Sequence, residues 1–176
     1  MFGVVTKLFL NKQVKFADGR LELMGIRDCF TPLLTYMEIQ KALIRSGQSE
    51  LIYQSSKKAS FSWLKKLGGL FEGLTQSKAI NLGIDIIELS GWGQLALEKI
   101  DYAEKTAVFR VVDSTLARNY GISKESIDFM MCGLLAGGLS YILKEDLDCF
   151  EVKCLAKGDK FCSFLVGKKE KIRSLV

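Results

Sequence analysis

The chain contains no histidine, and that absence removes whole classes of chemistry. Ser-His-Asp and Cys-His nucleophilic arrangements are excluded, as is any metal site that uses an imidazole. Proline is nearly missing too: Pro32 stands alone, and no Pro-, Gly- or Ser-rich linker interrupts the chain. The 176 residues therefore read as a single domain, 1–176, long enough to bury a core without staples. No apolar run reaches the roughly 18 residues of a membrane span. The opening "MFGVVTKLFLNKQ" lacks a basic start and a small-residue cleavage site, so it is expected as a strand and not as an export signal. A cytoplasmic location is therefore expected. No internal repeat, low-complexity segment or helix-turn-helix pattern occurs. The net charge of +5 is mild and gathers in the closing "GKKEKIRSLV", a solvated tail with no nucleic-acid role.

What is present describes a globular protein, with 48% hydrophobic and 26% charged residues. "VKFADGRLELMG" sets Asp18-Gly19 between apolar segments, a hairpin signal. "TPLLTYMEIQKALIRSG" predicts a helix with Thr31 as N-cap, Pro32 at the first helical position and an end at Gly47. From Leu51 to Leu74 the apolar residues Phe61, Leu64, Leu67, Phe71 and Leu74 recur at helical spacing, with a break expected at Gly68-Gly69. The Lys57-Lys58 and Lys65-Lys66 pairs read as solvated helix faces. "SKAINLGIDIIELSG" is a third helix. "GQLALEKIDY" and "TAVFRVVD" then read as an antiparallel pair. In "SKESIDFMMCGLLAGGLSYIL", Ser123 is the expected N-cap, with a partial capping box, and the all-round apolar body predicts a buried central helix. Its "GLLAGG" reads as a packing motif. The closing "DCFEVKCLAK" and "KFCSFLVGK" form a hairpin about Gly158-Asp159. Asp113 is expected to cap or turn the chain into "TLARNYG", and Asp159 to support the hairpin turn. Helices and antiparallel strands segregated in this way predict an α+β fold, an antiparallel sheet packed against a layer of helices.

The five cysteines are Cys29, Cys132, Cys149, Cys154 and Cys162. In a hairpin centred on Gly158, Cys154 and Cys162 stand directly opposite on one face, where Cβ atoms lie about 4.5–5.5 Å apart. That spacing suits two thiolates on one zinc, whose sulfurs are roughly 4 Å apart. It suits a disulfide equally well, although a reducing compartment disfavours one. Packing of small buried thiols is the third reading. Cys132 and Glu151 are candidate further ligands, but Glu151 and Cys154 point to opposite faces of a regular strand. They share an ion only if a bulge lies between them or Glu151 reaches round the strand end.

The blocks "GWGQL" (91–95), "FRVVDSTLA" (109–117), "MCGLLAGGL" (131–139) and "EVKCLAKGDKFCSFLV" (151–166) occur in this order. The run resembles the 4-vinyl reductase domain family, with its Gly-Trp-Gly, Asp-Ser, Cys-x4-Gly and Glu-x2-Cys-x3-Gly-Asp-x2-Cys elements, over residues 91–166. The resemblance implies a fold shared with aromatic-sensing activator domains and with TRAPP vesicle-tethering subunits, often paired as a dimer. It also implies a zinc ion held by Cys132, Glu151, Cys154 and Cys162, while Cys29 and Cys149 match nothing and are expected as packing residues. The phenol-sensing relatives hold the phenolic hydroxyl with a pocket histidine, and this chain has none.

Four protein ligands with no open position make a structural zinc, not a catalytic one. No Gly-x-Gly-x-x-Gly follows a strand, so a nucleotide cofactor for vinyl reduction has no evident seat and no enzyme activity is expected. The reading is a stand-alone sensory module that binds a small apolar or aromatic molecule, with Phe61, Trp63, Leu67, Phe71 and Trp92 as candidate lining residues. The alternatives are a homodimeric interaction scaffold without a ligand and an accessory factor in tetrapyrrole vinyl reduction.

Overall fold

The computed structural model describes residues 14–175; the strand expected in residues 1–13 lies outside them. The hairpin about Asp18-Gly19 forms between β1 (Val14–Ala17) and β2 (Arg20–Leu23), and a third strand, β3 (Ile26–Asp28), extends it into an antiparallel meander. Asp18-Gly19 and Met24-Gly25 each carry positive φ at both central residues (51° and 71°, 52° and 78°). This is the turn whose twist matches that of the flanking strands, and glycine takes its second position without steric cost.

Helices α1 (Leu33–Arg45), α2 (Ser49–Lys66), α3 (Gly68–Phe71) and α4 (Gln76–Leu89) follow. The expected break falls at Leu67, between α2 and α3. Thr31 does not cap α1. Pro32 occupies the N-cap position with no side-chain cap, because a proline already supplies the φ that starts a helix. The second sheet is antiparallel, with strands β4 (Gln94–Asp101), β5 (Thr106–Val112), β6 (Asp148–Lys153) and β7 (Cys162–Gly167) in the order β4-β5-β7-β6. Between β5 and β6 run α5 (Thr115–Tyr120) and α6 (Phe129–Leu143), and α7 (Lys169–Arg173) closes the chain. The architecture is α+β, two antiparallel sheets with helices, as the pattern predicted.

The inner face of the four-stranded sheet presents Leu95, Phe109, Val111, Phe164 and Val166 to Met131, Leu135 and Leu139 of α6. Each of the two phenylalanines is fully buried and contributes about 1.5–3 kcal/mol. Helix α6 also packs along α2, which explains its lack of a polar face. "GLLAG" is the contact: a Cβ at Gly133 would meet the Tyr53 carbonyl oxygen at 2.5 Å, and one at Gly137 the Lys57 carbonyl oxygen at 2.2 Å. Only glycine lets the two backbones approach so closely.

Two expectations about polar residues change. Helix α6 begins at Phe129, not after Ser123: the Asp128 side chain accepts from the Met131 amide at 3.2 Å, while the Ser123 amide donates to the Ala156 carbonyl at 2.8 Å. Lys57 is not a solvated residue. It pairs with Asp146 (2.8 Å) and Asp148 (3.0 Å), and Tyr53 donates to the same Asp148 oxygen at 2.5 Å. Burial would lower the Lys57 pKa, but its two carboxylate partners outweigh burial and raise it. Burial likewise opposes ionisation of Asp148, yet the Tyr53 and Lys57 hydrogen bonds hold its carboxyl below the usual range. A depressed carboxyl stabilises the fold above the unfolded-state pKa and loses that contribution as pH falls through the folded one. Lys57→Met is therefore expected to cost about 1–2 kcal/mol at neutral pH. In urea titrations its difference from the parent should shrink in acid, as pH falls through the lowered Asp148 pKa.

Candidate metal centre and apolar cavity

Strands β6 and β7 pair Glu151 with Phe164 and Lys153 with Ser163, and the register shifts between Glu151 and Lys153. That irregularity is the bulge that the side-chain alternation demands. It turns Glu151 and Cys154 toward the same face, where Cys162 also lies. One carboxylate oxygen of Glu151 and the sulfurs of Cys154 and Cys162 lie within 4.8 Å of one another. A short 3-10 turn (Leu155–Lys157) and Gly158, at φ 96°, carry the chain back. Asp159 supports that turn by accepting the Cys154 amide at 2.8 Å, and the Leu155 amide donates to the Cys162 sulfur at 3.3 Å.

Glu151 has two roles on its two oxygens. Oε2 accepts the amides of Ile127 and Asp128, both at 3.0 Å, which ties the hairpin to the start of α6. Oε1 is buried and, among the described residues, has no hydrogen-bond partner. A buried orphan acceptor beside two thiols is what a cation ligand looks like without its ion, so the donor set fits a soft divalent metal such as zinc. Burial, with the charges of Asp128 and Cys154 nearby, pushes the Glu151 carboxyl up to about 9. The hydrogen bond from Cys162 holds Cys154 down at about 5 against the opposing effect of burial, and Cys162, as the donor, is pushed up. The sulfurs thus share a proton that a metal would displace.

Cys132 falls outside this group. It is buried in α6, where desolvation and the neighbouring Cys149 raise its pKa well above the ordinary thiol value. With Glu151 it lines a hollow of about 210 Å³. The structure therefore brings together three of the four residues that the family resemblance implies and sets the fourth nearby. Cys149 packs in the core as expected, but Cys29 is exposed, because it stands in the segment between β3 and α1. Asp113 is not the cap of α5: Ser114 accepts the Ala117 amide at 3.2 Å, and Asp113 pairs with Arg118. Asp128 was missed as a site residue, although an Asp directly before an apolar run is an N-cap signal. It is fully buried, accepts from Ser114 Oγ at 2.8 Å, and is pushed up to about 6 by burial.

Glu151→Ala leaves two amides without their acceptor and is expected to destabilise the protein by about 2–4 kcal/mol. Glu151→Gln keeps an acceptor and should recover much of that, while both variants remove a candidate metal ligand. Denaturant unfolding with parallel zinc analysis separates the two effects.

A second feature lies between α2, α4, α6 and the sheet, a cavity of about 310 Å³. Trp63 and Trp92 line it, together with Ile80 and Ile84 of α4 and Leu135 and Leu139 of α6. Trp92 sits in a cramped turn, where a Cβ on Gly93 would meet Val111 Cγ1 at 2.8 Å and the Asp113 carbonyl oxygen at 2.9 Å. Among the described residues the lining contains no Lys or Arg, and Asp28 of β3 is its one charged side chain. Its hydroxyls, Ser60 and Ser90, donate to the carbonyls of Leu134 (2.9 Å) and Ile86 (2.8 Å), which leaves their lone pairs as acceptors. Phe61, Leu67 and Phe71 do not line this cavity. Phe61 stands on another flank of α2, edge to face with Tyr141 at 5.7 Å, and Leu67 and Phe71 fill a smaller core cluster. The isoleucine stripe of α4 was the signal for the wall that was missed.

Residues 107–168 match the V4R domain family. An uncharacterized protein of Methanocaldococcus jannaschii is 27% identical over 88 residues, which covers 50% of this chain and 50% of that protein. The phenol-responsive sensory domain of the transcription activator PoxR, solved with phenol, superposes with a TM-score of 0.81 at 16% identity, over 99% of this chain and 95% of that one. A vinyl-4-reductase family protein of Methanocaldococcus jannaschii gives 0.55 at 18% identity, over 79% and 82%. A trafficking protein particle complex subunit 3 from Naegleria fowleri, covalently bound to palmitic acid, gives 0.50 at 11% identity, over 96% and 90%. Identities this low speak to the fold alone. The bulged hairpin, its cysteines and the glycine-seamed helix all fall inside residues 107–168, the segment that is similar to the V4R domain family.

Proposed function

We propose that the protein is a sensory domain that binds one small, uncharged, largely apolar or aromatic molecule between α2, α4, α6 and the sheet. The cavity carries this reading. At about 310 Å³ it stands at the small end of the range for ligand pockets, about 300–1,000 Å³, which suits a one- or two-ring molecule. Trp63 and Trp92 offer aromatic faces, and Ser60 and Ser90 offer hydroxyl oxygens to a single donor group on the ligand. The likeness of fold to the PoxR sensory domain supports the same reading. A phenolic hydroxyl would be oriented here by serine, since the chain has no histidine.

The metal in this reading is a structural zinc on Glu151, Cys154 and Cys162, with Cys132 as the fourth ligand once its side chain turns toward the group. Such an ion cross-links the hairpin to the start of α6, and α6 forms one cavity wall. The protein is expected to act as a homodimer. The apolar side chains left open on α1 and in the segment that leads into it from β3, with Phe30 81% and Leu34 78% exposed, favour this pairing.

Native against denaturing mass spectrometry tests the reading. The expected result is one zinc per chain, lost in Cys154→Ser, and an apolar ligand mass lost on denaturation. For the cavity itself, Gly83 is a lining residue with open space where its Cβ would be. Gly83→Phe is expected to block quenching of tryptophan fluorescence by added small aromatics while the metal content is unchanged. A parent protein that binds no such compound, or a Gly83→Phe variant that binds them equally well, would overturn the assignment.

A further inference from the structure

The two helices that wall the cavity also wall a second concavity. By helical spacing, Ser60, Trp63 and Leu64 of α2 face the cavity, whereas Lys58, Phe61 and Lys65 point the other way. On α6, Leu135 and Leu139 face the cavity and Tyr141 and Lys144 do not. The groove between these outward faces encloses about 670 Å³.

Its floor is aromatic. Phe61 is 41% exposed and meets Tyr141 edge to face, and Lys144 Nζ stands 4.1 Å from the Tyr141 ring centroid. Its charge is unbalanced. Both acids on the rim are already committed: Glu145 to Lys105 (2.9 Å) and Lys168 (3.5 Å), and Asp146 to Lys57 (2.8 Å). Among the described residues, Lys58, Lys65 and Lys144 have no carboxylate partner. Three unpaired cations around the exposed Phe61 and the half-buried Tyr141 form a surface complementary to carboxylates that carry apolar neighbours.

We propose that this groove docks an acidic, aromatic-containing segment of a partner protein. The concave shape suits a chain laid along it rather than a flat bilayer. Three cations are few for a phosphate backbone. The groove and the cavity share α2 and α6, which touch backbone to backbone at Gly133 and Gly137.

The test uses the full chain and a fluorescein-labelled synthetic peptide of alternating Glu and Phe, followed by anisotropy. Saturable binding is expected, weakening with added salt, and the matching Gln/Phe peptide should bind far more weakly. Lys58→Glu combined with Lys144→Glu is expected to reduce affinity about tenfold or more. Lys99→Glu combined with Lys124→Glu makes the same change in net charge at exposed sites away from the groove and should have little effect. Lys65→Glu gives a second reading if the first pair alters the melting temperature. Phe61→Ser should weaken binding without altering its salt dependence. Equal losses in the groove and control variants, or equal binding of the Gln/Phe peptide, would overturn the proposal. So would a protein that ignores the Glu/Phe peptide and binds phosphatidylserine vesicles through Lys58 and Lys144.

Discussion

Gly137→Ala is expected to lower stability by about 3 kcal/mol or more, while Gly138→Ala, one residue along, leaves it unchanged or raises it slightly. The two glycines sit side by side in α6 but meet different neighbours. A Cβ on Gly137 lands 2.2 Å from the Lys57 carbonyl oxygen and 3.1 Å from the Phe61 amide nitrogen, both backbone atoms of α2. No rotamer change relieves that clash, so the helices must separate and the packing between them opens. A Cβ on Gly138 makes ordinary contacts, 3.6 Å to Ser60 Oγ and 3.7 Å to Leu64 Cδ1. There, alanine keeps the packing and removes the entropic disadvantage of a glycine within a helix. At about 2–4 °C per kcal/mol for a chain of this size, the Gly137 variant should melt at least about 6 °C below the parent. Differential scanning calorimetry of the two variants decides it, and a Gly137→Ala protein that melts with the parent would mean the backbones do not touch.

Removal of the proposed zinc is expected to have the second large effect, with a pH dependence that distinguishes its candidate ligands. At free zinc about a thousandfold above its Kd, the ion stabilises the fold by about 4 kcal/mol, and chelation should withdraw that. In the metal-free protein two shifted groups offset each other. Glu151 is raised to about 9, so its contribution is complete below the unfolded-state carboxyl pKa and is lost as pH climbs. Cys154 is depressed to about 5, so its contribution grows over the same interval as the unfolded thiol stays protonated and the folded one does not. Asp128, raised to about 6, has lost its contribution by about pH 6, as pH climbs from the unfolded-state carboxyl pKa through the folded one. The dominant trend is alkaline. Cys132 and Cys162 are both raised above the ordinary thiol value, so stability falls once unfolded thiols ionise. The slope is about 1.4 kcal/mol per pH unit for each thiol. Zinc holds its cysteines as thiolates and abolishes their share of that slope. If the loaded protein keeps one thiol's worth of alkaline loss, Cys132 is not a ligand. If the alkaline limb is flat, Cys132 has joined the site. Urea unfolding between about pH 7 and 10, with and without zinc, reads the difference directly.

Much of this molecule was legible before any coordinates, for local reasons. Periods of two and of 3.6, with Asp18-Gly19, Gly47 and Gly158 as punctuation, located the strands and helices, because those signals are written within a few residues. The failures were also local in origin but tertiary in cause. Ser123 has the right side chain for an N-cap, yet the Glu151 carboxylate, from a distant strand, takes the Ile127 and Asp128 amides and holds the segment short of a helix. Lys57 carries no local sign that Asp146 and Asp148 will reach it.

The site divides in the same way. Sequence alone placed Cys154 and Cys162 opposite each other in a hairpin about Gly158, and strand alternation let Glu151 join them only through a bulge or by reaching round the strand end. It also determined that no histidine takes part. The bulge itself, the unpartnered Glu151 oxygen and the position of Cys132 beside Cys149 were decided by how β6, β7 and α6 pack. The cavity belongs to the tertiary structure as well. Phe61, Trp63, Leu67 and Phe71 share one helical stretch, and only the placement of α4 and α6 around it sends Trp63 inward and Phe61 to the groove. A helix period fixes which residues share a face, but what that face meets depends on contacts between segments far apart in the chain.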